Sequence, residues 1–356
     1  MDSSTLDIIL IAPLASIFGV ILFWFLQLLF IESQKYFLEK IRLKHEVFCR
    51  FTNFLGVFFQ SICHALGYTV TKSGVSDFYI SVNYGRVAPK KEKKGIFEWV
   101  ANLFLFMGPF FIPAFLILIC LFFLINIEFN FSIASNIVNY KYSFGGQLVL
   151  FGSSLNNFSV NFLQFLLNID FFHPSHFGFI LLMIVLGLGI RPSRVGETKV
   201  DRVNMIYDLK NIWNLIRNKP IYLFLFFILS YLFYYFSVLS GRNWYTILFS
   251  FFGWLSIISI ISIVITHLII FFIISIDKID GGKKLIPYII IPSSYILMRI
   301  FLYYFPNDYK YLISNVVMIS TGIFSVKLLK KNGTNNFKAN TIIKFLRRNN
   351  KGAKDE

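Results

Sequence analysis

The sequence predicts an all-α polytopic membrane protein of about eight transmembrane helices, with a short cytoplasmic strand or hairpin after the second. Three observations carry this. The chain has 356 residues, 56% hydrophobic and 15% charged, with a mean hydropathy of +0.66, which leaves too little polar surface for one soluble domain. The runs Ile8 to Phe30, Ile221 to Leu239 and Tyr245 to Ile276 contain no Asp, Glu, Lys or Arg, and each can cross a bilayer core of about 30 Å as a helix. The basic residues gather between such runs and in the tail from Lys327 to Lys354, as the positive-inside rule expects.

Apolar runs read against breakers place the spans at 8–30, 51–70, 97–125, 176–190, 220–240, 245–275, 286–304 and 309–328. The first has no basic residue before it and no small-residue cleavage site after it, so it is expected to stay as an anchor. Segment 32–50 carries five basic residues with Glu32, Glu39 and Glu46, and is expected to form an amphipathic interfacial helix with Tyr36, Phe37, Ile41 and Phe48 on one face. Between Gly74 and Val87, Phe78, Ile80 and Val82 alternate with Tyr79, Ser81 and Asn83, the period of a strand or hairpin. Segment 126–174 is polar but nearly uncharged and reads as an external loop with partly membrane-associated pieces, inserted between two halves of the core. The runs Tyr231 to Phe236 and Phe301 to Phe305 read as interfacial aromatic belts.

Lys and Arg number 34 against 18 acidic residues, a net charge of +16. Placing the N-terminus inside puts 71–96, 191–219, 277–284 and the tail in the cytoplasm, with 25 of the 34 basic residues, so both termini are expected to be cytoplasmic. The expected partners are the lipid bilayer, anionic lipids at the basic tail, and protein partners or their transmembrane segments, and not nucleic acid. Cys49, Cys63 and Cys120 show no paired spacing, so neither a disulfide framework nor a zinc ribbon is expected. The 45 Phe residues, beside abundant Ile, Lys, Asn and Tyr, match AT-rich codons. No phosphate-binding Gly loop, Ser nucleophile elbow or dinucleotide fingerprint is present.

The most informative stretch is Phe58-Phe59-Gln60-Ser61-Ile62-Cys63-His64-Ala65-Leu66-Gly67, followed by Gly74-Val75 and Gly85-Arg86-Val87. Its spacing resembles the site-2 protease family of intramembrane zinc metallopeptidases, whose helix carries His-Glu-x-x-His-Ala, followed by Gly-Val and a hairpin. The resemblance continues in Asn102 to Phe110 with Gly108-Pro109, in Gly189-Ile190-Arg191-Pro192-Ser193, and in Asp208-Leu209-Lys210-Asn211. It implies a site-2 protease-like membrane core over 51–217, with the insertion 126–174, between an N-terminal span and interfacial helix (1–50) and a four-span bundle (218–328) that leads into a basic cytoplasmic tail (329–356). It also implies His64 and Asp208 as counterparts of zinc ligands, with Asp201 as the other candidate for the third.

The departures decide the chemistry. Gln60 and Ser61 stand where the family has its first His and its catalytic Glu. Zinc hydrolysis needs both imidazoles and a carboxylate base, so the catalytic positions are vestigial and peptide hydrolysis is not expected. No cofactor is expected, zinc being the one metal the pattern admits. The expected function is therefore to hold membrane segments or partner proteins without cleaving them. The alternatives are a transporter or channel subunit using His267, Arg299 and Glu128, a structural subunit of a membrane complex, or, ranked below these, an active metalloprotease with an unusual site. His45-Glu46-Val47-Phe48-Cys49 has metal-ligand residue types but reads as an interfacial helix. Asp170, His173 and His176 lie within seven residues and read as a helix start rather than a metal site.

Overall fold

The computed structural model describes residues 3–82, 85–125, 142–190, 205–279, 281–304 and 309–330. They divide between two compact units, the first comprising Met1–Phe162 with Phe172–Leu268 and the second Leu163–Phe171 with Ile269–Glu356. Among the described residues, six helical stretches are long and apolar enough to cross a membrane: Asp7–Ile41, Ile96–Phe123, Pro220–Leu239, Trp244–Ile276, Gly281–Tyr304 and Lys310–Lys330. This is the architecture of an all-α, multi-pass integral membrane protein.

The first unit opens with α1 (Ser3–Leu6), a π-helical turn (Asp7–Ile11) and α2 (Ala12–Ile41) in one rod. Helix α2 turns polar side chains inward among its buried apolar ones and keeps large apolar residues outside. Ser16, Gln27 and Gln34 are buried, whereas Leu14, Phe18, Leu22, Phe25 and Leu29 are exposed, the arrangement that lipid rewards and water does not. There follow α3 (Glu46–Val70), strands β1 (Val75–Ile80) and β2 (Gly85–Pro89), α4 (Ile96–Ile125), α5 (Phe144–Leu167), α6 (Pro174–Gly189), α7 (Met205–Asn218), α8 (Pro220–Leu239) and α9 (Trp244–Ile276).

Side-chain contacts fix the directions of the long helices. Helices α2 and α9 run parallel. Tyr245 donates to the Pro13 carbonyl, Gln27 and Ser259 both donate to the Phe110 carbonyl, and Gln34 donates to Thr266 at 2.9 Å. The bonded pairs keep one separation of 232 residues and recur at multiples of seven, the repeat that holds one seam in contact. Helix α5 runs the same way, with Gln147 accepting from Thr246 at 2.7 Å and Phe158 stacked on Trp254 at 5.5 Å. Helix α4 runs against them, since Phe110 lies beside Ser259 and Phe115 beside Phe251. Helix α8 also runs against them: Lys219 at its start bridges Glu98 at the start of α4, and Tyr231 and Tyr235 near its end donate to the Leu10 and Ile9 carbonyls. Pro13 brings no N–H to the end of the π-helical turn, and the Tyr235 hydroxyl donates to the Ile9 carbonyl within it.

Helices α3, α6 and α7 and the hairpin stay at the end of the unit where α2 finishes. Gly67 of α3 meets Ala101 and Phe104 in the first turns of α4, and Gly189 of α6 meets Phe59 and Leu55 of α3. Gly187 accepts from Gln34 and lies against Ser262 of α9. Leu209 and Ile212 of α7 pack on a cluster of Trp24, Leu28, Ile31, Phe110, Ile190 and Ile263. Of the fifteen Lys and Arg among the described residues of this unit, fourteen fall in Lys35 to Arg50, Lys72 to Lys94 and Lys210 to Lys219, all at this basic end; the fifteenth is Arg242.

These contacts leave one expectation unconfirmed and correct two. Residues 51–70 and 176–190 are helical, but neither helix is among the six long apolar stretches: Thr52, Asn53, Gln60, Ser61 and His64 dilute α3, and the 16 residues of α6 reach only about 24 Å. Residues 144–167, expected to be loop, are helix α5 and pack along α9. Its Gly146, Gln147, Leu150, Phe151, Ser154, Leu155, Phe158 and Phe162 are buried at helical spacing, so its polar residues face protein, where the hydropathy reading counted them as loop. Residues 32–50 are not one interfacial helix. The stretch to Ile41 completes α2, with Leu38 and Ile41 buried, and a turn at 42–45 leads into α3.

The second unit contains the end of α9, a 3₁₀ turn (Gly281–Leu285), α10 (Ile286–Phe301), a second 3₁₀ turn (Leu302–Tyr304) and a helix, α11, over Lys310–Lys330. They close on the segment 163–171. Asp170 accepts from Tyr295 at 3.0 Å and pairs with Arg299 at 3.3 Å, their charged side chains 17% and 15% exposed. The Tyr295 hydroxyl in turn accepts the Phe171 N–H, and Asn315 donates to the Leu167 and Ile169 carbonyls at 3.0 Å each. Arg299 also lies 4.4 Å over the Tyr311 ring. These side chains satisfy a helix end that would otherwise leave bare carbonyls.

Candidate functional site: a pocket between helix α3 and the hairpin

Helix α3 ends in a reversal that aims the hairpin back at it. Lys72 adopts φ 55° and Gly74 φ 67°, and Ser73 N–H bonds the Tyr68 carbonyl at 2.8 Å, closing the helix as a left-handed cap does. Gly74 then accepts Lys90 N–H at 3.0 Å, so the Gly74-Val75 pair is the base of the hairpin. The strands pair antiparallel with Ile80 opposite Gly85 and Tyr79 opposite Arg86. The hairpin expected between Gly74 and Val87 is present and continues to Pro89. Gly85 then touches α3: a Cβ there would overlap the Ser61 hydroxyl and stand 3.0 Å from Val57 Cγ1.

The two elements enclose a cavity of about 280 Å³ lined by Val57, Gln60, Ser61 and His64 from α3 and by Gly85, Arg86 and Val87 from β2. The α3 residues follow a spacing of three, four and seven from Val57, which places them on one helix face. Ser61 is buried, Gln60 and His64 are half-buried, and Arg86 is exposed beside Asp77 at 3.2 Å. The lining therefore offers an amide, a hydroxyl, an imidazole and a guanidinium. Among the described residues the lining holds one imidazole and no carboxylate, a set suited to hydrogen bonding.

The structure thus brings Gln60, Ser61 and His64 together on one wall. Cys63 points elsewhere, fully buried against Gly108 of α4. Asp208 falls on the backbone of α7, its side chain outside the described residues, and Asp201 and Glu128 also lie outside them. Among the described residues no group of three His, Cys, Asp or Glu could hold a metal. Glu46 pairs with Arg50 at 2.9 Å, and Cys49 is buried with its thiol toward the Leu38 carbonyl. Burial pushes that thiol up to about 11, far from the thiolate a metal needs. His173 stands at the N-cap position of α6 without a side-chain capping bond, its ring 4.8 Å from that of His176, while Asp170 is held by Tyr295 and Arg299. His267 is buried against Phe30 and Phe37, and its Nε2 has no partner among the described residues. Arg299, a candidate for a polar pathway, is engaged in the ion pair of the second unit.

Sequence reasoning missed Gln27 and Gln34, which tie α2 to α4, α6 and α9, and the largely buried Lys35 paired with Glu32 at 2.8 Å. The available signal was two glutamines seven residues apart in or beside an apolar run. No known family, curated protein or solved structure matches the chain.

Proposed function

We propose that the protein is a non-catalytic multi-pass membrane protein that holds a segment of a partner polypeptide in the pocket between α3 and β2. The pocket chemistry carries this reading. It joins hydrogen-bonding groups to the apolar Val57 and Val87 and has the size to take one or two side chains of a visiting chain. Gln27 and Gln34 on α2 and Thr246 and Ser259 on α9 bond across helices, which is how membrane helices are held together, and these bonds favour a packed body; Ser16, Ser250, Ser256, Ser262 and His267 are buried beside them with no partner among the described residues. The fourteen basic residues at one end support a cytoplasmic position for that end, and for the pocket with it. In this reading the N-terminus, expected in the cytoplasm from the loop charges, lies on the far side, α2 enters from there, and the basic segment 35–50 joins the cytoplasmic set.

A photoreactive residue at Val87, introduced into the full-length protein in native membranes, is expected to crosslink to polypeptide. Crosslinks to lipid alone would sink the holding function. The resemblance to site-2 proteases has a separate test: the double variant Gln60→His, Ser61→Glu is expected to retain near-stoichiometric zinc after purification, where wild type retains none. A variant that binds no more zinc than wild type would show that the alignment on His64 and Asp208 is wrong.

A further inference from the structure

Helix α7 has two faces with different neighbours. Leu209 and Ile212 pack on the core cluster. Lys210, Trp213 and Arg217 follow at spacings of three and four, which puts them on one stripe, and all three are exposed, Trp213 by 62%. Arg217 stands three residues before Pro220, the first residue of an apolar helix long enough to cross the membrane. The stripe therefore sits beside the membrane edge. Lys219 at the same junction bridges Glu98, Trp99 packs on Tyr222, and Lys90, Lys91 and Lys94 lie exposed just before α4.

We propose that the Lys210–Trp213–Arg217 stripe of α7 is a docking site for anionic phospholipid headgroups. Charge complementarity selects the occupant: the stripe presents two cations, belongs to an end bearing fourteen, and meets the bilayer at the depth where acidic headgroups lie. Trp213 supplies the flat amphipathic ring that settles at that depth. A soluble acidic protein would not need the indole at the membrane edge. The inference is independent of the pocket on α3.

The test uses full-length protein in nanodiscs of phosphatidylcholine with one-fifth phosphatidylserine. The anionic lipid retained on purification is measured by mass spectrometry for wild type and for Lys210→Gln, Arg217→Gln and the double variant. Each substitution is expected to lower the enrichment of the anionic lipid by about fivefold, the effect of ~1 kcal/mol per cation near the surface. Brominated phosphatidylserine is expected to quench an emission component that is absent from Trp213→Phe. Unchanged enrichment in the double variant would overturn the proposal. So would a Trp213 component that brominated lipid does not quench, which would give the stripe to a soluble partner. Circular dichroism of each variant separates loss of binding from loss of fold.

Discussion

Arg299→Met is expected to destabilise the C-terminal unit by about 3 to 5 kcal/mol, the usual cost of breaking a buried ion pair by removing one partner. The variant strands the Asp170 carboxylate, 17% exposed, and removes the cation over Tyr311. Thermal unfolding of the detergent-solubilised protein measures the loss. The double variant Asp170→Asn, Arg299→Met is expected to recover part of it, since no uncompensated charge remains. A single variant within about 1 kcal/mol of wild type would mean that the pair is effectively solvated and does not close the unit.

Gly187→Val is expected to cost about 3 kcal/mol or more, at the upper end for overpacking. A Cβ at Gly187 would stand 2.7 Å from the Ser262 carbonyl oxygen, a backbone atom that cannot rotate away. Separating α6 from α9 would also lengthen the bond from Gln34 to the Gly187 carbonyl. Gly178 on the same helix has nothing within 4 Å of its Cβ position, so Gly178→Ala is expected to be nearly neutral or slightly stabilising. Unfolding midpoints of the two variants in one detergent check both expectations. Equal midpoints would show that α6 is not tightly seated on α9.

The sequence reveals most where a segment is uniformly apolar. Six of the expected spans correspond to helices long and apolar enough to cross a membrane, because such composition has one stable solution in lipid. It misleads where a helix is half polar. Helix α5 hides Gln147 and Ser154 inside the unit, and hydropathy averaging cannot tell a polar residue turned toward protein from one in a loop. Helix α3 is apolar enough to suggest a span, yet Thr52, Asn53, Gln60 and His64 keep it out of the six long apolar stretches. The pocket was partly legible: the positions Gln60, Ser61 and His64 share a wall. That Gly85 closes the opposite side depends on how sharply the hairpin returns, and this follows from the positive φ of Lys72 and Gly74 rather than from any residue pattern.

The parallel pairing of α2 with α9 carries a consequence for biogenesis. Gln34 waits for Thr266, and Pro13 for Tyr245, across 232 residues of chain. At about 5 to 20 residues per second, that is roughly 10 to 50 seconds of translation after α2 has left the ribosome. During that interval two glutamines lack the α9 side of their seam, so the nascent helix needs a polar shelter in the insertion machinery until its partner is made.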